Sequence, residues 1–204
     1  GVLFGSQVFF KDGHVLELAT KASGKPILAL IDRTLGLGGQ VLIFVSTRQR
    51  AMSLAKRLAR HVEEKLSEAA KLALSRIAEK VLATGERTQL SELLAGLISC
   101  GVAFHHAGLS GQHRRIIEQE FRSGQIKVLT ATPTLAYGVN LPARTVIVAD
   151  YRRYEPGYGF YDISVLDYKQ MSGRAGRPKY DKVGEAILLA RTKEELEYLM
   201  EVYV

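Results

Sequence analysis

The stretch Val41-Leu42-Ile43-Phe44-Val45-Ser46-Thr47-Arg48 decides the fold. Five apolar residues in a row have strand length, and a strand without a polar face is covered on both sides, as in a parallel sheet flanked by helices. Ser46-Thr47-Arg48 then hands the chain to a helical pattern that runs to about residue 82. That is too long for one ordinary helix, so a break is expected near residues 63–67.

Outward from this stretch the alternation repeats. Apolar runs at 101–104, 127–130, 145–149 and 185–190 are separated by helical patterns at about 26–37, 88–99, 110–122 and 168–173. Thr192-Lys193-Glu194-Glu195 has the spacing of a capping box opening a last helix. Strands alternating with helices define an α/β fold with a mostly parallel central sheet. At the amino end, residues 2–10 and 15–18 read as a β-hairpin around Lys11-Asp12-Gly13-His14, its arm ending at Ser23-Gly24-Lys25. A hairpin starting so abruptly suggests sequence upstream, and the expected division is 1–25 as hairpin and linker and 26–204 as the main domain. Residues 151–165 form an insertion with five aromatics and with Gly157 and Gly159.

The chain has 204 residues, 28 Lys and Arg against 21 Asp and Glu, and a net charge of +7. That length gives one domain or one with an appendage, and the basic balance favours a polyanionic partner over an acidic one. No apolar run reaches the roughly 18 residues of a membrane span. The single cysteine, Cys100, excludes an internal disulfide, fits a reducing cytoplasmic interior, and lies in an apolar context that suits a packed thiol better than a nucleophile.

In an open parallel sheet, ligands bind beyond the carboxyl ends of the strands. The chemistry-bearing residues follow the strands here: Thr47 and Arg48 after one, His105, His106 and Gly108 after the next, Thr132 and Thr134 after a third. Hydroxyls, small residues and cations in such positions suit a phosphate backbone held without reading bases. Thr47 and Thr132 also read as simple N-caps, and His105 and His106 as one packed and one exposed histidine. The two histidines are adjacent, with no further ligand at metal spacing, so no metal site is expected. Gln170-Met171-Ser172-Gly173-Arg174-Ala175-Gly176-Arg177 adds two guanidinium groups three residues apart, a pair suited to phosphate oxygens. Gly173 and Gly176 leave room for a ligand near the backbone. Alone, the stretch also reads as a basic turn whose arginines pair with surface carboxylates.

Taken together, residues 41–48, 104–109, 130–142 and 170–177 resemble motifs IV, IVa, V and VI of superfamily 2 helicases. The resemblance covers roughly residues 2–200, is specific in its four ordered motifs, and lies with the second RecA-like lobe of the Ski2-like group, nearest the archaeal Hjm-type DNA repair helicases. It implies an ATP-dependent 3′–5′ DNA helicase acting in repair or at stalled forks. Arg174 and Arg177 would reach ATP phosphates, with Arg177 as the arginine finger. Gln170, Gly138 and Asn140 would lie beside the nucleotide. Thr47, Arg48, His106, Gly108, Thr132 and Thr134 would face the tracking strand. The 151–165 insertion falls where such enzymes carry a strand-separating β-hairpin, so Tyr154, Tyr158, Phe160 and Tyr161 would stack on the last base pair.

No G-x-x-x-x-G-K-[ST] loop and no Asp-Glu-x-His box is present; Ser23-Gly24-Lys25-Pro26 fails because Ala19 and Pro26 stand where glycine and a hydroxyl belong. ATP and Mg²⁺ are therefore expected to be held mainly by a separate first lobe, leaving the isolated lobe inactive. The implied partners are that lobe, C-terminal accessory domains, and single-stranded and forked DNA, with no membrane and a nucleoid-associated, cytoplasmic setting. A Ski2-like RNA helicase lobe and a non-catalytic nucleic-acid or protein docking module are the alternatives.

Overall fold

The computed structural model describes residues 1–19 and 25–204. The expected end of the hairpin arm at Ser23-Gly24 lies outside the described residues. In chain order the elements are β1 (Val2–Phe4), β2 (Gln7–Phe9), β3 (Val15–Glu17), α1 (Pro26–Gly36), β4 (Val41–Phe44), α2 (Arg48–Glu63), α3 (Glu68–Ala83), α4 (Gln89–Ser99), β5 (Val102–His105), α5 (Gly111–Arg122), β6 (Val128–Ala131), α6 (Thr134–Gly138), β7 (Thr145–Val148), β8 (Arg152–Glu155), β9 (Gly159–Asp162), α7 (Val165–Ser172), β10 (Glu185–Leu189) and α8 (Lys193–Val202). The chain forms two compact units, one of Gly1–Ser46 with Pro142–Val204 and one of Thr47–Leu141.

In the first unit the strands run in the order β3-β2-β1-β10-β7-β4. β4, β7, β10 and β1 are parallel, whereas β2 pairs antiparallel with β1 and β3 antiparallel with β2. Every residue of β4 and β7 is buried, as an uninterrupted apolar strand requires. Even the one hydroxyl in β7 is satisfied inside, with Thr145 Oγ1 lying 2.8 Å from Thr34 Oγ1 of α1. Leu30, Ile31, Leu42, Ile43 and Phe44 are fully buried, each contributing about 1.5–3 kcal/mol of hydrophobic stabilisation.

The amino-terminal reading changes in one respect. The apolar run at 2–10 is two short strands, because Gly5 takes φ +60 and turns the chain between them. The expected two-stranded arm is thus a three-stranded meander. β1 lies in parallel register with β10, Val2 opposite Leu188.

In the second unit β5 and β6 are a parallel pair, with His105 opposite Ala131. α2 packs on both strands and α3 on α4. The break expected at 63–67 falls between α2 and α3, where Ser67 caps the new helix by accepting from Ala70 N at 3.1 Å. Cys100 is half-buried rather than packed in the core: it donates to Glu63 Oε2 at 2.8 Å, and partial burial with that carboxylate pushes its pKa up to about 12. Among the described residues no helix is long and apolar enough to cross a membrane.

Candidate nucleotide and nucleic-acid sites

The first unit carries the arginine-bearing turn. α7 begins at Val165, three residues earlier than the pattern suggests, because Ser164 caps it by accepting from Asp167 N. After Ser172 the backbone is clamped rather than open. Ala143 N donates to Arg174 O at 2.9 Å, and Gly176 N donates to Ala143 O at 2.7 Å. Gly176 takes φ +90, a Cβ on it would stand 3.2 Å from Gly184 Cα, and a Cβ on Gly184 would lie 2.3 Å from Gly176 N. The expectation that Gly176 makes room for a ligand is therefore corrected: its missing side chain is used by the chain's own backbone at Gly184. This close approach fixes the turn from which Arg174 and Arg177 project.

Arg177 is held by a residue the sequence reading passed over. Asp181 accepts from Arg177 Nε at 2.9 Å and Nη2 at 3.0 Å, and from its backbone N at 2.8 Å. Asp181 also lies 3.5 Å from Arg144 Nη1, and its side chain is only 2% exposed. The hydrogen bond from Arg177 comes first among the causes that hold the Asp181 carboxyl below its ordinary range. Tyr180 lies under the same guanidinium, 5.2 Å from ring centre to Cζ. Arg177 thus has a carboxylate partner within its own unit, the arrangement the basic-turn alternative describes. The fork geometry leaves the Nη1 edge pointing away from Asp181. The signal for Asp181 was its i, i+4 spacing from Arg177. Gln170 is exposed on α7, and Arg174 is intermediate in exposure.

The hairpin β8–β9 stands in the same unit, with Tyr154 opposite Phe160 and Arg153 opposite Tyr161. Its tip is apolar and open to solvent: Tyr158 and Phe160 are each 76% exposed and Tyr154 62%. Tyr154 and Phe160 pair at 5.1 Å between ring centres, and Tyr158 meets Tyr161 edge-on at 6.0 Å.

The second unit holds the residues expected to face the strand. Thr47 is indeed the N-cap of α2, accepting from Arg50 N at 3.1 Å. Thr132 is not a cap: its Oγ1 lies 3.2 Å from Thr134 Oγ1, and Pro133 occupies the capping position of α6. His105 and His106 are both buried, which corrects the reading of one packed and one exposed ring. His105 Nε2 lies 3.1 Å from Glu118 Oε2, and burial holds its pKa below the ordinary value against the pull of that carboxylate.

His106 stacks on Phe104 and accepts the backbone N–H of Gly108 at its Nδ1, 3.0 Å away. A ring that accepts at Nδ1 carries its proton at Nε2. Burial first, then Arg48 and His105, lowers the His106 pKa and favours this neutral form. Nε2 has no hydrogen-bond partner among the described residues. A Cβ on Gly108 would stand 2.9 Å from the imidazole and 3.4 Å from Arg48 Nη1, so only glycine allows these groups to meet. The Thr47 hydroxyl and the Arg48 guanidinium make a pair suited to phosphate oxygens, whereas the Nε2 of His106 is buried.

A cavity of about 380 Å³ is lined by His105, Arg114, Arg115, Glu118 and Thr134 among others. Arg114 and Arg115 belong to α5 and are not among the residues singled out from the sequence. Gly138 and Asn140 are exposed, and Asn140 O accepts from Arg122 at 3.4 Å. Among the described residues no group of three or more His, Cys, Asp or Glu side chains is placed to hold a metal ion.

This α/β lobe, with its clamped arginine turn, belongs to a known class: the chain is a member of the helicase conserved C-terminal domain family, whose pattern matches residues 25–179. Over essentially its whole length it is also similar to proteins described as ATP-dependent DNA helicase Hel308. It is 48% identical to the one from Caldivirga maquilingensis, over 98% of this chain, and 46% identical to those from Methanocella arvoryzae and Pyrobaculum calidifontis, over 100% of it. The chain spans about a quarter of their length, 26%, 27% and 28% respectively.

Proposed function

We propose that this chain is the C-terminal motor lobe of an ATP-dependent 3′–5′ DNA helicase that works in repair or at stalled forks. ATP and Mg²⁺ are held mainly by a first lobe that carries the phosphate loop. The present lobe contributes charge and grip. Arg174 and Arg177 stabilise the charge that spreads over the transferring phosphoryl group, with Arg177 as the finger and Asp181 orienting it from the opposite edge. Gln170, Gly138 and Asn140 flank the nucleotide. Thr47, Arg48, His106, Gly108, Thr132 and Thr134 hold the tracking strand through sugar and phosphate. The exposed aromatic tip of β8–β9 parts the duplex by stacking on its last base pair.

The observation that carries this reading is the fixed backbone of the arginine turn, bonded to Ala143 and pressed against Gly184. Charge stabilisation without reorganisation needs donors on a rigid support. DNA is favoured over RNA because the relatives over the whole chain are described as DNA helicases.

The test is binding and hydrolysis by the 204-residue chain alone. Single-stranded DNA should bind, and its affinity should fall with salt. Arg48→Ala should reduce the slope of log K against log salt by about 0.7, one phosphate contact on a single strand. ATP turnover by the isolated chain should be undetectable. Robust turnover, or an Arg48→Ala slope equal to wild type, contradicts the proposal.

A further inference from the structure

The base of the β8–β9 hairpin is bonded to α8, and its tip is not. Glu195 was expected to complete a capping box with Thr192. Thr192 does accept from Glu195 N at 3.1 Å, but the Glu195 carboxylate takes the Tyr151 hydroxyl at 2.9 Å, one residue before β8. Tyr203 donates to Ile163 O at 2.6 Å, one residue after β9, and Tyr198 donates to the Asp162 carboxylate at the end of β9. Ile163 N closes the base by donating to Tyr151 O at 2.8 Å. Tyr203 also packs on Tyr168 of α7 at 5.3 Å. Tyr151, Ile163 and Tyr203 are buried, while Tyr158 and Phe160 at the far end are 76% exposed.

We infer that α8 is the seat of the hairpin, and that Glu195, Tyr198 and Tyr203 are positioning residues for strand separation. The inference rests on the proposed role of the hairpin tip. A two-stranded ribbon is marginal by itself, so a wedge loaded at its tip bends at its root unless the root is tied to the body. Here two side-chain hydrogen bonds with α8 and one with its C-cap, Tyr203, tie the root of the ribbon at Tyr151, Asp162 and Ile163, and α8 itself packs on β1 of the sheet. The hydroxyls remain neutral donors in working buffers. Burial and Glu195 push the Tyr151 pKa up to about 12, and burial raises that of Tyr203.

The chain has no tryptophan, so Tyr158→Trp places a single reporter at the tip. Its time-resolved anisotropy measures local tip motion directly. In the Tyr198→Phe/Tyr203→Phe background, which keeps the rings and removes two hydroxyls, the fast-depolarising fraction should roughly double. Glu195→Ala should loosen the tip, whereas Glu195→Gln, which still accepts from Tyr151, should leave the decay as in wild type. Should the double variant fold poorly, the Glu195 pair carries the same test from a half-buried position. An unchanged decay in Glu195→Ala, or equal loosening by Glu195→Ala and Glu195→Gln, overturns the seat and leaves the wedge reading standing. A loosened tip confirms the seat. If the full-length helicase with that loosened tip then unwinds as well as wild type, the wedge reading fails instead.

Discussion

At the scale of single residues, the chemistry turns on who neutralises whom. Asp181 holds Arg177 in a bidentate pair and shares its charge with Arg144. Breaking such a pair from one side leaves uncompensated guanidinium groups, at a cost of about 3 kcal/mol. Asp181→Ala should therefore lower the melting temperature of the chain by roughly 5–10 °C, and a melt unchanged from wild type would show the pair to be dispensable. The pH dependence has a fixed sign. The folded pKa of Asp181 is depressed, so its contribution is fully present above the ordinary carboxylate pKa near 3.9 and is lost as pH falls below it. His105 works the same way at higher pH: its depressed pKa gives stability present above about 6.5 and lost in mild acid. Thermal melts of wild type between pH 7 and pH 5 should accordingly show a fall that His105→Gln reduces; a fall of equal size in that variant would point to another group.

At the scale of elements, the hairpin and the arginine turn are neighbours in the chain. Only Ile163 and Ser164 separate β9 from α7, and Arg153 of β8 lies 3.8 Å from Asp167 of α7. Their proposed roles are nonetheless separable. Shortening residues 154–161 in the full-length helicase should spare DNA-stimulated ATP turnover and damage strand separation. Unchanged unwinding would remove the wedge from the account, and equal loss of both activities would mean that the hairpin serves the motor as a whole. The elements also show what a sequence makes legible. β4, β5, β6 and β7 announce themselves because strands buried on both faces are almost wholly apolar, with one polar residue at most in each. The joint between α2 and α3 showed in the excess length of the pattern. The meander at β1–β3 did not, since Gly5 interrupts an apolar run that otherwise reads straight through. The ribbon at β8–β9 was legible only through the family resemblance, because its aromatic residues face solvent at the tip and alternate weakly.

At the scale of the whole molecule, motif spacing singles out the candidate site residues and says nothing of their partners. Motif spacing marks Arg174, Arg177, His106 and Gly108, since each sits at the end of a buried strand or helix that fixes where it emerges. It does not reveal that Gly176 serves backbone packing against Gly184, or that Glu195 abandons its cap for Tyr151. Nor does it show that His106 accepts from Gly108 N at Nδ1 and so keeps its proton on a buried Nε2. Those are contacts between segments far apart in sequence, or choices among several acceptors, and local pattern carries no record of either. The chain belongs to the helicase C-terminal family and spans about a quarter of the length of the relatives it matches.

The central claim is that this lobe delivers guanidinium charge to a nucleotide held elsewhere. The most direct measurement is Arg177→Lys in the full-length helicase, which keeps a cation for Asp181 and removes the fork. Maximal ATP turnover should fall by about a hundredfold or more, with the affinity for single-stranded DNA within about twofold of wild type. Turnover left intact, or DNA affinity lost in step with it, would contradict the account.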